Sequence, residues 1–302
     1  TKDGATFALY DFGVVFPDGV DVDEVLPLAE DALCAVLAGR AEPGAANRLV
    51  LYESLPWRTV AVLRAYCRYL LQLGTEYSRP FMADTLVQNS LVTKLLVQLF
   101  RVGFDPEWEQ GASAERRREK QEEVRGEIRA ALDDVADLSQ DRFLRTMTEV
   151  VSATVRTNAY LGKETIALKL LPRKIEEAPL PRPAFEIWVY APRVEGVHLR
   201  FGKVARGGLR WSDRRNDFRT EILGLVKAQM TKNSVIIPTG AKGGFFPKNA
   251  PGRDEDPEGY QREGEESYRL FIQSLLDVTD NLVTTDKGEH EVVSPELSLI
   301  HI

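Results

Sequence analysis

Apolar positions recur every three or four residues through the first half of the chain and at every second residue in parts of the second half. The run "VDEVLPLAEDALCAVLAG" predicts a helix stopped by Gly39. "LYESLPWRTVAVLRAYCRYLLQLG" predicts another, with Ser54 as N-cap, Pro56 in the first turn and Gly74 as the stop. Leu63, Tyr66, Cys67, Leu70 and Leu71 make its apolar stripe. "SRPFMADTLVQN" and "SLVTKLLVQLFRVGF" predict two shorter helices. Residues 111–137 are dominated by charge, yet Val124, Ile128, Leu132 and Val135 keep the 3–4 spacing, which predicts a long solvated helix. Ser139 is expected to cap one more, reaching about Asn158.

The period changes at residue 161. "ETIALKLLP", "AFEIWVYAP" and "EGVHLRFG" predict strands, with the proline-rich "APLPRP" between the first two. Residues 4–16, "GATFALYDFGVVF", also predict a strand. "NDFRTEILGLVKAQMTKN" predicts a helix with Asn216 or Asp217 near its cap and Phe218, Ile222, Leu225 and Val226 as its buried stripe. "SVIIP" is expected as a short buried strand, "TGAKGGF" as a glycine loop, and a final helix over about 260–282. The fold class is thus α+β to α/β: an all-helical part over about 21–160, then an α/β part over 161–302. No internal repeat is present.

Composition narrows the function classes. At 302 residues, 43% hydrophobic and 28% charged, the chain can bury a sizeable core. A net charge of −7 argues against a general nucleic-acid or membrane binder. No apolar run reaches the roughly 18–20 residues of a membrane span, and no signal peptide is visible. Cys34 and Cys67 both sit in apolar helical patterns and are expected as core thiols of a reducing cytosol. His198, His290 and His301 form no metal spacing, so no metal is expected. The chain opens on Thr1 and ends on "SPELSLIHI", and is expected to be a piece of something longer.

One segment departs from the acidic average. Residues 200–250 hold 11 Lys/Arg against three acids, a local balance of +8. Gln229 and Lys232, three apart, share a helix face placed roughly opposite the stripe of Phe218, Ile222 and Leu225. Lys242 follows among Gly240, Gly243 and Gly244, where glycine permits close backbone approach to a ligand. Two lysines so placed can face one small anion, and Arg206 and Arg210 of "RGGLR" offer guanidinium forks for carboxylates. A lysine crowded by cations and partly desolvated titrates low enough to act as a base. The chemistry this suggests is carboxylate capture beside a tuned lysine, as in amino-acid oxidation. "GAKGG" lacks the order of a P-loop. A non-catalytic anion-binding or regulatory module, with 111–137 as a partner helix, stays open. So does RNA binding by the basic segment, with Trp188, Tyr190 and Trp211 as stacking residues.

The stretch "ARGGLRWSDRRNDFRTEILGLVKAQMTKNSVIIPTGAKGGFFPK" resembles the substrate-binding segment of the large, long-chain NAD-dependent glutamate dehydrogenases of bacteria. "YDFG" and "LPWRTVAVLRAYCRYLLQLG" also look like that family, so the resemblance covers nearly all of the chain. It implies that Lys242 is the catalytic lysine and that Lys232, with Gln229 beside it, holds the substrate α-carboxylate. Gly207, Gly208 and Arg210 match the "GGLR" loop, with Gly243 beside the lysine. Arg206 matches a position where smaller relatives use lysine for the side-chain carboxylate. The implied reaction is oxidative deamination of L-glutamate to 2-oxoglutarate and ammonium, with hydride passing to NAD. The G-x-G-x-x-G turn for NAD is absent from residues 1–302, and the catalytic aspartate is expected beyond residue 302 rather than at Asp286. The resemblance further implies the tail of an ACT-like regulatory domain over 1–20, helical connecting residues 21–160, an incomplete substrate-binding domain over 161–302, and a cytoplasmic homo-oligomer. Alone, the 302 residues are expected to be inactive.

Overall fold

The computed structural model describes residues 13, 15–16, 19–202, 207–232, 240–279, 281–284 and 290–293. Most of the 4–16 segment and all of "SVIIP" lie outside the described residues.

Helix α1 (Val22–Leu37) begins at Asp21, whose carboxylate accepts from the Asp23 and Glu24 N–H groups. It is followed by Gly39 at φ 70°. The short α2 (Arg48–Tyr52) leads into α3 (Trp57–Leu73). Here the expected Ser54 cap is replaced: Pro56 is the N-cap residue, and Ser54 takes φ 51° in the preceding turn. Gly74 closes α3 in the left-handed conformation, as its sequence position predicts. Helices α4 (Arg79–Gln88) and α5 (Ser90–Phe104) follow. Helix α6 (Ala114–Leu132) buries Val124, Ile128 and Leu132 and exposes most of its charges. Arg117 is the exception. It is buried and donates to the carbonyls of Val102, Asp105 and Trp108, which satisfies the end of α5.

Helix α7 (Leu138–Ser152) is capped by Asp137, not Ser139, and stops six residues before Asn158. Residues Thr154–Thr157 form β1 instead. Thr154, Val155 and Thr157 are β-branched, and pairing with the next strand outweighs continuation of the helix. The sheet therefore begins inside the segment expected to be all helix. It continues with β2 (Ile166–Leu170), β3 (Phe185–Tyr190), β4 (Val194–Arg200), β5 (Leu209–Trp211) and β6 (Ala241–Pro247), in the order β1-β2-β3-β4-β6-β5. All neighbours are antiparallel except β5 and β6. Helix α8 (Phe218–Lys232) links those two parallel strands. Helix α9 (Pro257–Asp277) starts earlier than expected because Asp256 caps it, and it ends before the hairpin β7 (Asn281–Thr284) and β8 (His290–Val293).

The sheet is covered on both faces. Leu168, Leu170, Trp188, Val197 and Leu199 point into the helical core, where Phe218, Ile222 and Leu223 of α8 join them. The Trp188 indole N–H donates to the Ala65 carbonyl of α3 at 2.9 Å, tying helices and sheet into one core. Ala167, Val189 and Phe245 point the other way, onto Phe271 of α9. Cys67 is a core thiol, as expected, and burial pushes it up to about 12. Cys34 is not: α1 exposes it.

Candidate functional site

Lys242 lies on a strand, not in a loop. β6 is bonded on both sides, with Lys242 opposite Leu199 of β4 and Gly243 opposite both His198 and Leu209. Its glycines are there for close packing rather than for positive φ. A Cβ at Gly243 would stand 2.4 Å from Leu209 and 2.9 Å from His198. One at Gly244 would stand 2.4 Å from Ile222 of α8. Strand alternation puts Lys242 on the same face as Gly244, the face that α8 covers.

The "RGG" and "GAKGG" segments meet there. A Cβ at Gly207 would fall 1.3 Å from the Ala241 carbonyl oxygen, so the backbone approach excludes any side chain. The Lys242 Nζ lies 3.9 Å from the Cβ position of Gly208. The Gly243 N–H donates to the Gly208 carbonyl at 3.3 Å. Gly207, Gly208, Lys242 and Gly243 thus form one small region. Lys242 is half-buried in it and makes no ion pair or hydrogen bond through its side chain among the described residues.

Helix α8 corrects the expected face. Phe218, Ile222 and Val226 are fully buried, whereas Leu225 is 38% exposed. Gln229 follows Ile222 by seven residues, about 20° short of two full turns, so it continues the sheet-facing stripe rather than opposing it. It is half-buried accordingly. Lys232 is the last residue of α8; its side chain, and all of Arg206, lie outside the described residues.

Four cations of the basic cluster have carboxylate partners. Arg210 pairs with Glu221 of α8, which also accepts from the Ser212 hydroxyl at 2.6 Å, so the structure sets Arg210 against a protein carboxylate. Arg214 pairs with Asp217. Arg219 is buried against Glu186 through two bonds of 2.7 Å. Lys248 pairs with Glu42 and Glu195. Glu42, Glu186 and Glu195 all lie outside residues 200–250, where a charge count along that window cannot find them. Sequence reasoning also passed over His198, weighing it only as a metal ligand. Among the described residues no group of three His, Cys, Asp or Glu could hold a metal ion.

His198 is half-buried beside Gly243, and burial, then Arg200, lowers its pKa from 6.5 to about 4. The folded value lies below the unfolded one, so the stability tied to neutral His198 is whole above 6.5 and lost as pH falls towards about 4. Denaturant titrations from neutral pH downwards should show a steeper loss of unfolding free energy in the wild type than in His198→Asn. Equal slopes would remove His198 from the acid sensitivity.

A family model described as "Bacterial NAD-glutamate dehydrogenase, catalytic domain" matches residues 127–299, more than half of the chain. The chain belongs to that family. A second, "Glutamate dehydrogenase, helical motif 3", matches residues 41–106, which contain α2 to α5. Relatives called NAD-specific glutamate dehydrogenase are 46% identical in Pseudomonas aeruginosa over 97% of this chain, and 47% identical in Halomonas elongata over 92%. A third, from Mycobacterium tuberculosis, is 47% identical over 83%. The chain spans 18%, 17% and 16% of their respective lengths. The region around Lys242 lies wholly within the catalytic-domain match.

Proposed function

We propose that the chain supplies the glutamate-binding residues of an NAD-dependent glutamate dehydrogenase, which converts L-glutamate and water to 2-oxoglutarate and ammonium as NAD takes up hydride. The observation that carries this reading is the meeting of Gly207 and Gly208 with Ala241 and Lys242 of β6, on whose Lys242 face α8 lies with Gln229 in its sheet-facing stripe. Lys232 and Gln229 would hold the α-carboxylate. Gly207 and Gly208 would let substrate approach the backbone. Lys242 would bind the water that attacks the iminium carbon and hold the charge that develops there. Arg210, already engaged by Glu221, would shape the loop rather than bind substrate. Arg206 would remain the candidate for the side-chain carboxylate.

The described residues do not fit NAD. Their sheet is antiparallel apart from β5 and β6, and β6 follows α8 without a glycine-rich turn at that helix's N-terminus. Hydride acceptance would belong to the whole protein. The division at about residue 160 between connecting helices and substrate-binding domain would carry over, with β1 joining the sheet side. The carboxylate partners of the basic segment speak against an RNA surface. No helix among the described residues is long and apolar enough to cross a membrane, and Cys34 and Cys67 are free thiols, which supports a cytoplasmic site of action. The reading is tested by Lys242→Ala in the full protein, with glutamate-dependent reduction of NAD as the readout.

A further inference from the structure

A second cationic site lies in the helical part, away from Lys242. A cavity of about 290 Å³ opens between α2, α3, α4 and the segment 42–46. Leu49, Leu63, Met82, Ala83 and Leu86 give it an apolar body. Arg64, Arg68 and Arg79 stand on its wall. This pairing of an apolar pocket with a few convergent polar groups is the usual form of a small-ligand site.

The charges around it do not balance. Lys248 bonds Glu42, Glu195 and the Ala191 carbonyl. Arg68 donates through Nε to Glu195 at 2.6 Å. Arg64 donates to the Glu42 carbonyl and to Asn47 Oδ1. Four cations, Arg64, Arg68, Arg79 and Lys248, therefore share two carboxylates, Glu42 and Glu195. Arg79 has no ion pair or hydrogen bond through its side chain among the described residues. Arg68 and Arg215 set like charges near that guanidinium. Arg68, held through Nε by Glu195, lines the same cavity.

We propose that this cavity binds a small amphipathic carboxylate, its head bridging Arg68 and Arg79 and its apolar body lying on Met82, Ala83 and Leu86. A planar carboxylate matches guanidinium forks and supplies the missing negative charge. The apolar wall requires a hydrocarbon body, which excludes bare inorganic anions as the preferred ligand. Occupancy would reach the sheet through the Glu195–Lys248 contact, since Lys248 directly follows β6.

The test is calorimetric titration of the full protein with hexanoate, using acetate and hexanol as probes of the head and the body taken singly. It reads binding alone, so its outcome is independent of whether the protein oxidises glutamate. Hexanoate is expected to bind, acetate and hexanol to bind at least about tenfold more weakly, and Arg79→Gln to weaken hexanoate by about tenfold. Arg79 lies exposed in the first turn of α4, so Arg79→Gln leaves the core intact. No heat from hexanoate, or equal affinity in Arg79→Gln, would overturn the proposal. Equal binding of acetate and hexanoate would overturn the apolar half of it.

Discussion

Lys242→Ala in the full protein is expected to lower turnover of L-glutamate by about 10³-fold or more, within the range for losing a proton-transfer group and a charge-stabilising donor together. Stability should hardly change. Lys242 is only half-buried and takes no ion pair among the described residues, so truncation leaves no orphaned carboxylate. A melting temperature within about 2 °C of wild type is the matching expectation. Lys242→Arg should not rescue activity. The Nζ lies close against Gly208, and a planar fork needs more room than an ammonium. The binding-module reading expects the opposite result, since a chain that only binds anions leaves catalysis intact when Lys242 is lost. Turnover within a fewfold of wild type would therefore decide for that reading.

The glycines around Lys242 show what a sequence reveals and what it hides. Their density marked the region, but the expected cause, freedom for positive φ in a loop, was the wrong one. Gly243 and Gly244 are strand residues that keep Leu209, His198 and Ile222 close, and such a constraint comes from partners 22 to 45 positions away. Helix periodicity was legible where one face is buried, as in α5 and α6, whereas α3 is buried on almost every side and its expected stripe is only part of what it buries. It failed for α8, because Leu225 looks apolar yet is exposed while the polar Gln229 continues the buried stripe. The end of α7 was misread for a related reason. The β-branched Thr154, Val155 and Thr157 are a weak local signal, and pairing with β2 is what ends the helix there. Charge was the least legible property, since the acids that neutralise Arg219 and Lys248 come from other elements.

Arg219 makes the second large effect. Its side chain and that of Glu186 are both fully buried, joined by two bonds of 2.7 Å. Burial works against the guanidinium charge, and Glu186 outweighs it, so the pKa is raised. Removing either partner strands a charge in the core. Glu186→Gln and Arg219→Met are each expected to cost about 3–5 kcal/mol, read as a lower denaturant midpoint at unchanged slope. The double variant Glu186→Leu with Arg219→Met should cost less than either single change, because no charge is left uncompensated. The pair also positions α8. Gln72 of α3 accepts from the Arg219 N–H at 3.2 Å and donates to the Arg215 carbonyl at 3.0 Å, so the start of the helix is clamped between α3 and β3. Gln229 and Lys232 stand about 15–20 Å further along the same helix, where a small tilt moves them by more than a bond length. The double variant should therefore recover much of its stability and still show a raised KM for glutamate. Recovery of stability with an unchanged KM would mean that the ion pair only fills the core, and that the aim of α8 is set by Gln72 and by the packing of Ile222 on Gly244.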